Sequence, residues 1–257
     1  MIKQYGFLPS QGSHGSLDGS PLKSPSIIYG NMEEWVATLF YVYYLTNQIL
    51  SDFWWDTVRT EPRSLPVPVY DLARWLGFSV ELHNLNRYRD MQISLVLGKL
   101  KLSEETIYVD NGIGVSNSDR RYAVAHELGH AYLCEENAPN SQDCMESRIP
   151  GNRREFLADL FAAFLMLPPR ETFQYVITYI TENRKRPVDH EKMMLELSDK
   201  AKFPFLRTIT SYEYLRYAAC YEHNHKEDIL RRLKNDWHIE NADEWLKEPI
   251  AAQELYN

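Results

Sequence analysis

His126-Glu127-Leu128-Gly129-His130 is the stretch on which the reading of this chain turns. Residues four apart on an α-helix lie one above the other, so both imidazoles can present nitrogens to one ion, with Glu127 beside them. A helix is expected here. Ser118-Asp119-Arg120-Arg121 places an N-cap ahead of a helix-forming run, and Tyr122, Ala125, Leu128, Gly129, Ala131, Tyr132 and Leu133 carry it on. Two histidines and a carboxylate at this spacing suit a hydrolytic zinc centre: the ion lowers the pKa of water from about 15.7 to about 7, and the carboxylate accepts the proton. The same pattern also occurs in ordinary core helices whose histidines are satisfied by hydrogen bonds, so the flanking sequence has to decide.

A catalytic zinc takes a third protein ligand and keeps its fourth position for water. Downstream, Glu155-Phe156-Leu157-Ala158-Asp159 lies in a run from Asn152 to Leu167 with Ala, Leu, Phe and Met at helical spacing, stopped by Pro168-Pro169. Glu155 and Asp159 then share one face of an otherwise apolar helix, and carboxylates are costly to bury there unless they meet a metal or a donor. Solvated carboxylates at a helix start, where negative charge suits the dipole, are the alternative. The upstream motif favours the metal. The expected zinc ligands are therefore His126, His130 and Glu155, with Glu127 as general base. Asp159 is expected to accept from the imidazole N–H of a liganding histidine, His126 or His130.

With these residues in place, the chain resembles the ImmA/IrrE-type metallopeptidases, gluzincin-like proteins with HExxH followed by an ExxxD helix. The likeness runs in ordered blocks from Leu65-Pro-Val-Pro-Val-Tyr-Asp-Leu-Ala-Arg-Trp-Leu-Gly77 through Thr106-Ile-Tyr-Val-Asp110 and the helix of His126, to the helix of Glu155 and Pro168. The resemblance implies a cytoplasmic zinc endopeptidase, carried by bacteria, phages or mobile elements and serving a regulatory or stress response. Its implied substrate is a helix-turn-helix transcriptional repressor, inactivated by a single cut.

Composition is consistent with that class. A chain of 257 residues, 44% hydrophobic and 25% charged, can bury a sizeable core with a smaller lobe. A net charge of -8 argues against a broadly basic nucleic-acid surface, so no direct nucleic-acid binding is expected. Cys134, Cys144 and Cys220 do not form the framework of a disulfide-rich secreted domain, which points to a reducing compartment. The first residues show no signal-peptide pattern, and the longest apolar stretch, Trp35 to Leu45, is shorter than the ~20 residues a bilayer span needs. A soluble protein without a membrane partner is expected.

The expected fold is α+β: a zincin-like metallopeptidase core with a small mixed β-sheet packed on the active-site helices, plus a helical C-terminal lobe. Residues 1–62 are read as a flexible lead-in, rich in Ser, Gly and Pro from Ser10 to Ser26 and containing a solvated His14, followed by an aromatic-rich helix from Met32 to about Trp55 that serves as packing. Residues 63–170 are read as the peptidase core, with strands at Phe78–Leu82, Gln92–Leu97 and Thr106–Val109 and a long loop from Glu135 to Arg154. Residues 171–257 are read as the helical lobe: helices at Glu171–Glu182 and Asp189–Lys200, and one from Thr210 opened by a Thr210…Glu213 capping box. Its Cys220, His223 and His225 are metal-capable in type but are read as solvated residues at a helix end. An oxyanion donor is expected, with Tyr122, Tyr132 and His190 the candidates by residue type. Two other readings remain open on sequence: a zinc-containing regulatory binding protein without proteolytic activity, and an enzyme acting on a non-peptide amide.

Overall fold

A computed structural model of the chain describes residues 32–57, 63–85, 96–133, 153–184 and 187–235. These form an α+β structure, mostly helical, with one three-stranded mixed sheet. They fall into two compact units, residues 68–162 and residues 32–67 with 163–235.

Helix α1, Met32–Thr57, belongs to the second unit, and the first unit opens with the short helix α2, Val69–Trp75. Val69, Leu72 and Ala73 form its buried side. Its end is a glycine turn. Gly77 takes φ 103°, open to a residue without Cβ, and the N–H groups of Gly77 and Phe78 donate to the carbonyls of Arg74 and Ala73. The chain leaves this turn directly into β1, Ser79–His83. Strands β2, Gly98–Lys101, and β3, Thr106–Asp110, complete a sheet of order β1-β3-β2, with β1 parallel and β2 antiparallel to the central strand. The register pairs Val80 and Leu100 with Ile107, and Leu82 and Gly98 with Val109, so one face carries the apolar rows. Ile107 and Val109 are fully buried on it. Helix α3, Asn117–Leu133, packs on β2, β3 and α2.

Helix α4, Arg153–Met166, belongs to the first unit as far as Ala162 and to the second beyond it. In the second unit, α5 spans Pro169–Glu182, with Pro at the first helical position where its missing N–H costs nothing. Helix α6, His190–Ala201, is capped by Asp189, whose carboxylate accepts from the Lys192 N–H. Helix α7, Phe205–Asn235, is kinked at His225. Helices α1 and α6 pack on α7, and α5 packs on α6. Tyr41, Tyr43, Tyr44, Phe53 and Trp54 of α1 are buried and Trp55 is exposed, so the aromatic helix is mainly core. Tyr43 meets Phe164 edge to face.

Three expectations need correction. The second strand is Gly98–Lys101; of the expected Gln92–Leu97, residues 92–95 lie outside the described residues and Val96 and Leu97 are not in a strand. The last helix starts at Phe205, not Thr210. Pro204 supplies its first turn, with its carbonyl accepting from the Thr208 N–H, and Thr210 lies inside, its hydroxyl donating back to the Leu206 carbonyl. Helix α3 is capped by Ser116 rather than Ser118. The Ser10–Ser26 lead-in, His14, Cys134, Cys144 and most of the Glu135–Arg154 loop lie outside the described residues. Among the described residues, no helix is long and apolar enough to cross a membrane.

Candidate metal centre

Helix α3 is started two residues earlier than Ser118. Ser116 caps it: its hydroxyl accepts from the Asp119 N–H, and the Asp119 carboxylate accepts from the N–H and hydroxyl of Ser116. This reciprocal pair satisfies N–H groups that have no helical partner, which Ser118, already inside the helix, cannot do. Arg120 then ties the helix to the sheet by donating from Nε to the Asp110 carbonyl at the end of β3. One turn further on, the motif residues enter the core. His126, Glu127 and His130 are all buried, each no more than 4% exposed. Three polar side chains packed this deeply need partners.

Helix α4 supplies those of the two histidines, and it can do so because the two helices touch backbone to backbone. A Cβ on Gly129 would lie 2.7 Å from Cα of Ala158 and 3.1 Å from Cβ of Phe161, so only glycine admits this approach. Glu155 precedes Ala158 by three residues and Asp159 follows it, so both carboxylates reach α3. Glu155 Oε2 lies 3.3 Å from Nε2 of His126, and its Oε1 lies 3.3 Å from Nε2 of His130. The two Nε2 atoms are 3.0 Å apart. Asp159 Oδ1 lies 2.8 Å from Nδ1 of His126. A carboxylate only accepts, so Nδ1 of His126 carries a proton, and in the neutral ring its Nε2 presents a lone pair towards His130 and Glu155.

Three electron-rich atoms thus converge, and protons or a cation must neutralise them. The titration directions record the proton alternative. Burial pushes the Glu155 carboxyl up, but the hydrogen bonds of His126 and His130 outweigh it and hold it at about 2. Burial pushes His126 down, and the bonds to Asp159 and then Glu155 more than reverse this, leaving it raised. A cation fits equally well. Tetrahedral coordination at about 2.0–2.1 Å separates neighbouring ligand atoms by roughly 3.3–3.4 Å, close to the spacings observed. Among the described residues, His126, His130 and Glu155 form a group of two buried histidines and a half-buried carboxylate that can hold a metal ion.

The remaining expected residues sort clearly. Glu127 neighbours this group on α3 and packs on the backbone of β2: a Cβ on Gly98 would lie 2.8 Å from its Oε1 and 2.9 Å from its Cγ. Asp159 serves His126 rather than His130. Of the oxyanion candidates, Tyr122 donates its hydroxyl to Asp159 Oδ1 and sits 3.2 Å from Nδ1 of His126, on the edge of the ring remote from Nε2. Tyr132 is buried and stacked on Phe161. His190 is the exposed first residue of α6, in the second unit. Cys220 is an exposed free thiol and His225 stacks on Tyr221; the His223 side chain lies outside the described residues. Sequence reasoning missed Gly98 and the partnership of Tyr122 with Asp159. A glycine opening a strand carries no signal of what lies above it, whereas Tyr122, one turn before His126, was visible on the same helix face.

A scan of family models finds none that matches this chain, and a search of curated proteins finds no match either.

Proposed function

We propose that the chain is a zinc-dependent endopeptidase with a zincin-like core. The observation that carries this is the convergence of His126, His130 and Glu155 at 3.0–3.3 Å, with a buried Glu127 adjoining it on the same helix. His126 and His130 would hold the ion through Nε2 and Glu155 through its carboxylate. Zinc in such a site supplies Lewis acidity towards water and towards a carbonyl oxygen. Glu127 takes a proton from the attacking water and delivers it to the leaving amine nitrogen. Asp159 holds the His126 ring in the tautomer and orientation that direct Nε2 towards the ion.

The substrate proposed is a helix-turn-helix transcriptional repressor in a bacterial or mobile-element regulatory response, and the site of action the cytoplasm. This part rests on the resemblance in the sequence blocks. Glu127→Gln tests the catalytic reading. Zinc content should be retained, and cleavage of helix-turn-helix proteins encoded beside this chain, mapped by mass, should fall by a factor of about 10²–10⁴. Equal biological activity of the two proteins would overturn catalysis and leave a regulatory zinc-binding protein.

A further inference from the structure

Tyr122 is buried and one helical turn before His126, yet the reaction just described makes no use of it. Its hydroxyl donates to the same Asp159 oxygen that accepts from Nδ1 of His126, and its 3.2 Å separation from Nδ1 follows from the shared acceptor. Asp159 is the more exposed member of this group, its side chain 38% accessible where that of His126 is 5%. A carboxylate so placed can rotate towards water. A second donor from the buried side restricts that rotation, since moving Oδ1 away from His126 also breaks the bond from Tyr122.

We propose that Tyr122 is a positioning residue of the metal centre: its hydroxyl fixes Asp159, Asp159 fixes the His126 ring, and the ring presents Nε2 to the ion. Tyr122, Asp159 and His126 act as one chain of hydrogen bonds, so the phenol contributes to zinc affinity without touching the metal. The same geometry removes Tyr122 from the oxyanion candidates, because its hydroxyl faces Nδ1 and the reacting groups belong on the side of Nε2. This rests on the reading of His126, His130 and Glu155 as a zinc site.

The test measures zinc affinity by competition with a chromogenic chelator for the full chain and for Tyr122→Phe, Asp159→Ala and the double variant. Thermal melts in excess chelator monitor the fold. Tyr122→Phe should weaken zinc binding on the order of tenfold, the low end of the range for groups behind a ligand. The double variant should be no weaker than Asp159→Ala alone, because the hydroxyl acts only through that carboxylate. Tyr122→Met, which removes the hydroxyl with a more adaptable side chain, is run in parallel in case Tyr122→Phe fails to fold. Unchanged affinity in the folded variants, or effects of Tyr122→Phe and Asp159→Ala that simply add, would overturn the role of Tyr122 while leaving the zinc site intact. A parent protein that takes up no zinc would overturn the site itself, and the role of Tyr122 with it.

Discussion

Gly129→Ala is the substitution that tests the architecture most severely, because general helix physics and the local packing predict opposite signs. In an open helix, replacing glycine by alanine stabilises by about 1 kcal/mol. Here the new methyl would stand 2.7 Å from Cα of Ala158 and 3.0 Å from its carbonyl oxygen. Ordinary contact begins at 3.4 Å, so α4 has to move by about 0.7 Å, and as the obstacle is backbone no side-chain rotation relieves it. Overpacking of this kind costs about 1–3 kcal/mol, which exceeds the propensity gain. The expected net loss is about 1 kcal/mol, or roughly 2–4 °C in Tm for a chain of this size. The displacement matters more for the centre. Metal–ligand distances tolerate about 0.2 Å, and the shift moves Glu155 relative to both histidines by several times that. Zinc affinity should therefore fall by more than tenfold. Melts in chelator and a competition titration measure the two effects. A raised Tm with unchanged zinc affinity would refute the close approach of α3 and α4.

Two further outcomes are expected. Gly98→Ala puts a methyl within 2.8–2.9 Å of the Glu127 side chain, which can swing aside where backbone cannot; zinc affinity should stay within about twofold while cleavage falls by about tenfold or more, and full activity would show that Glu127 is not held by β2. Glu171, in the first turn of α5, has a buried carboxyl oxygen with no hydrogen-bond partner among the described residues; burial raises its pKa, and its own backbone N–H, Arg63 and Arg170 only partly oppose this. A carboxyl raised on folding contributes stability that is present below its unfolded pKa and lost as pH rises from there through the folded value. Glu171→Gln should therefore raise Tm at pH 7 and give a smaller difference at pH 4, and equal differences at both would refute the assignment.

Much of the site was legible because its spacing is helical. His126 with His130, and Glu155 with Asp159, stand four apart, and a carboxylate pair on an apolar helix invites an explanation. The end of α4 follows from Pro168-Pro169, and that of α2 from Gly77. What was not legible depends on contacts distant in the chain. Gly98–Lys101 has a glycine and two lysines and reads poorly as a strand; it becomes one because β3 supplies its partners, with Leu100 opposite Ile107. Thr210 fits a cap by type, but Pro204 had already begun that helix. Ser116 was passed over for Ser118 because both precede the same run, and only the reciprocal bonds with Asp119 distinguish them. That Asp159 faces His126 rather than His130 was likewise beyond helical spacing, since it depends on how α4 lies along α3.

Glu155 stands in the first turn of α4, where backbone N–H groups lack intrahelical partners and helices fray. His126 lies inside α3 and His130 in its last turn, on a helix seated against a sheet. An ion shared by these three side chains fastens the first turn of α4 to the second half of α3, so part of its binding energy is spent on ordering that turn. Local opening of α4 and release of the ion are then one event, and amide exchange at residues 153–157 becomes a gauge of zinc occupancy.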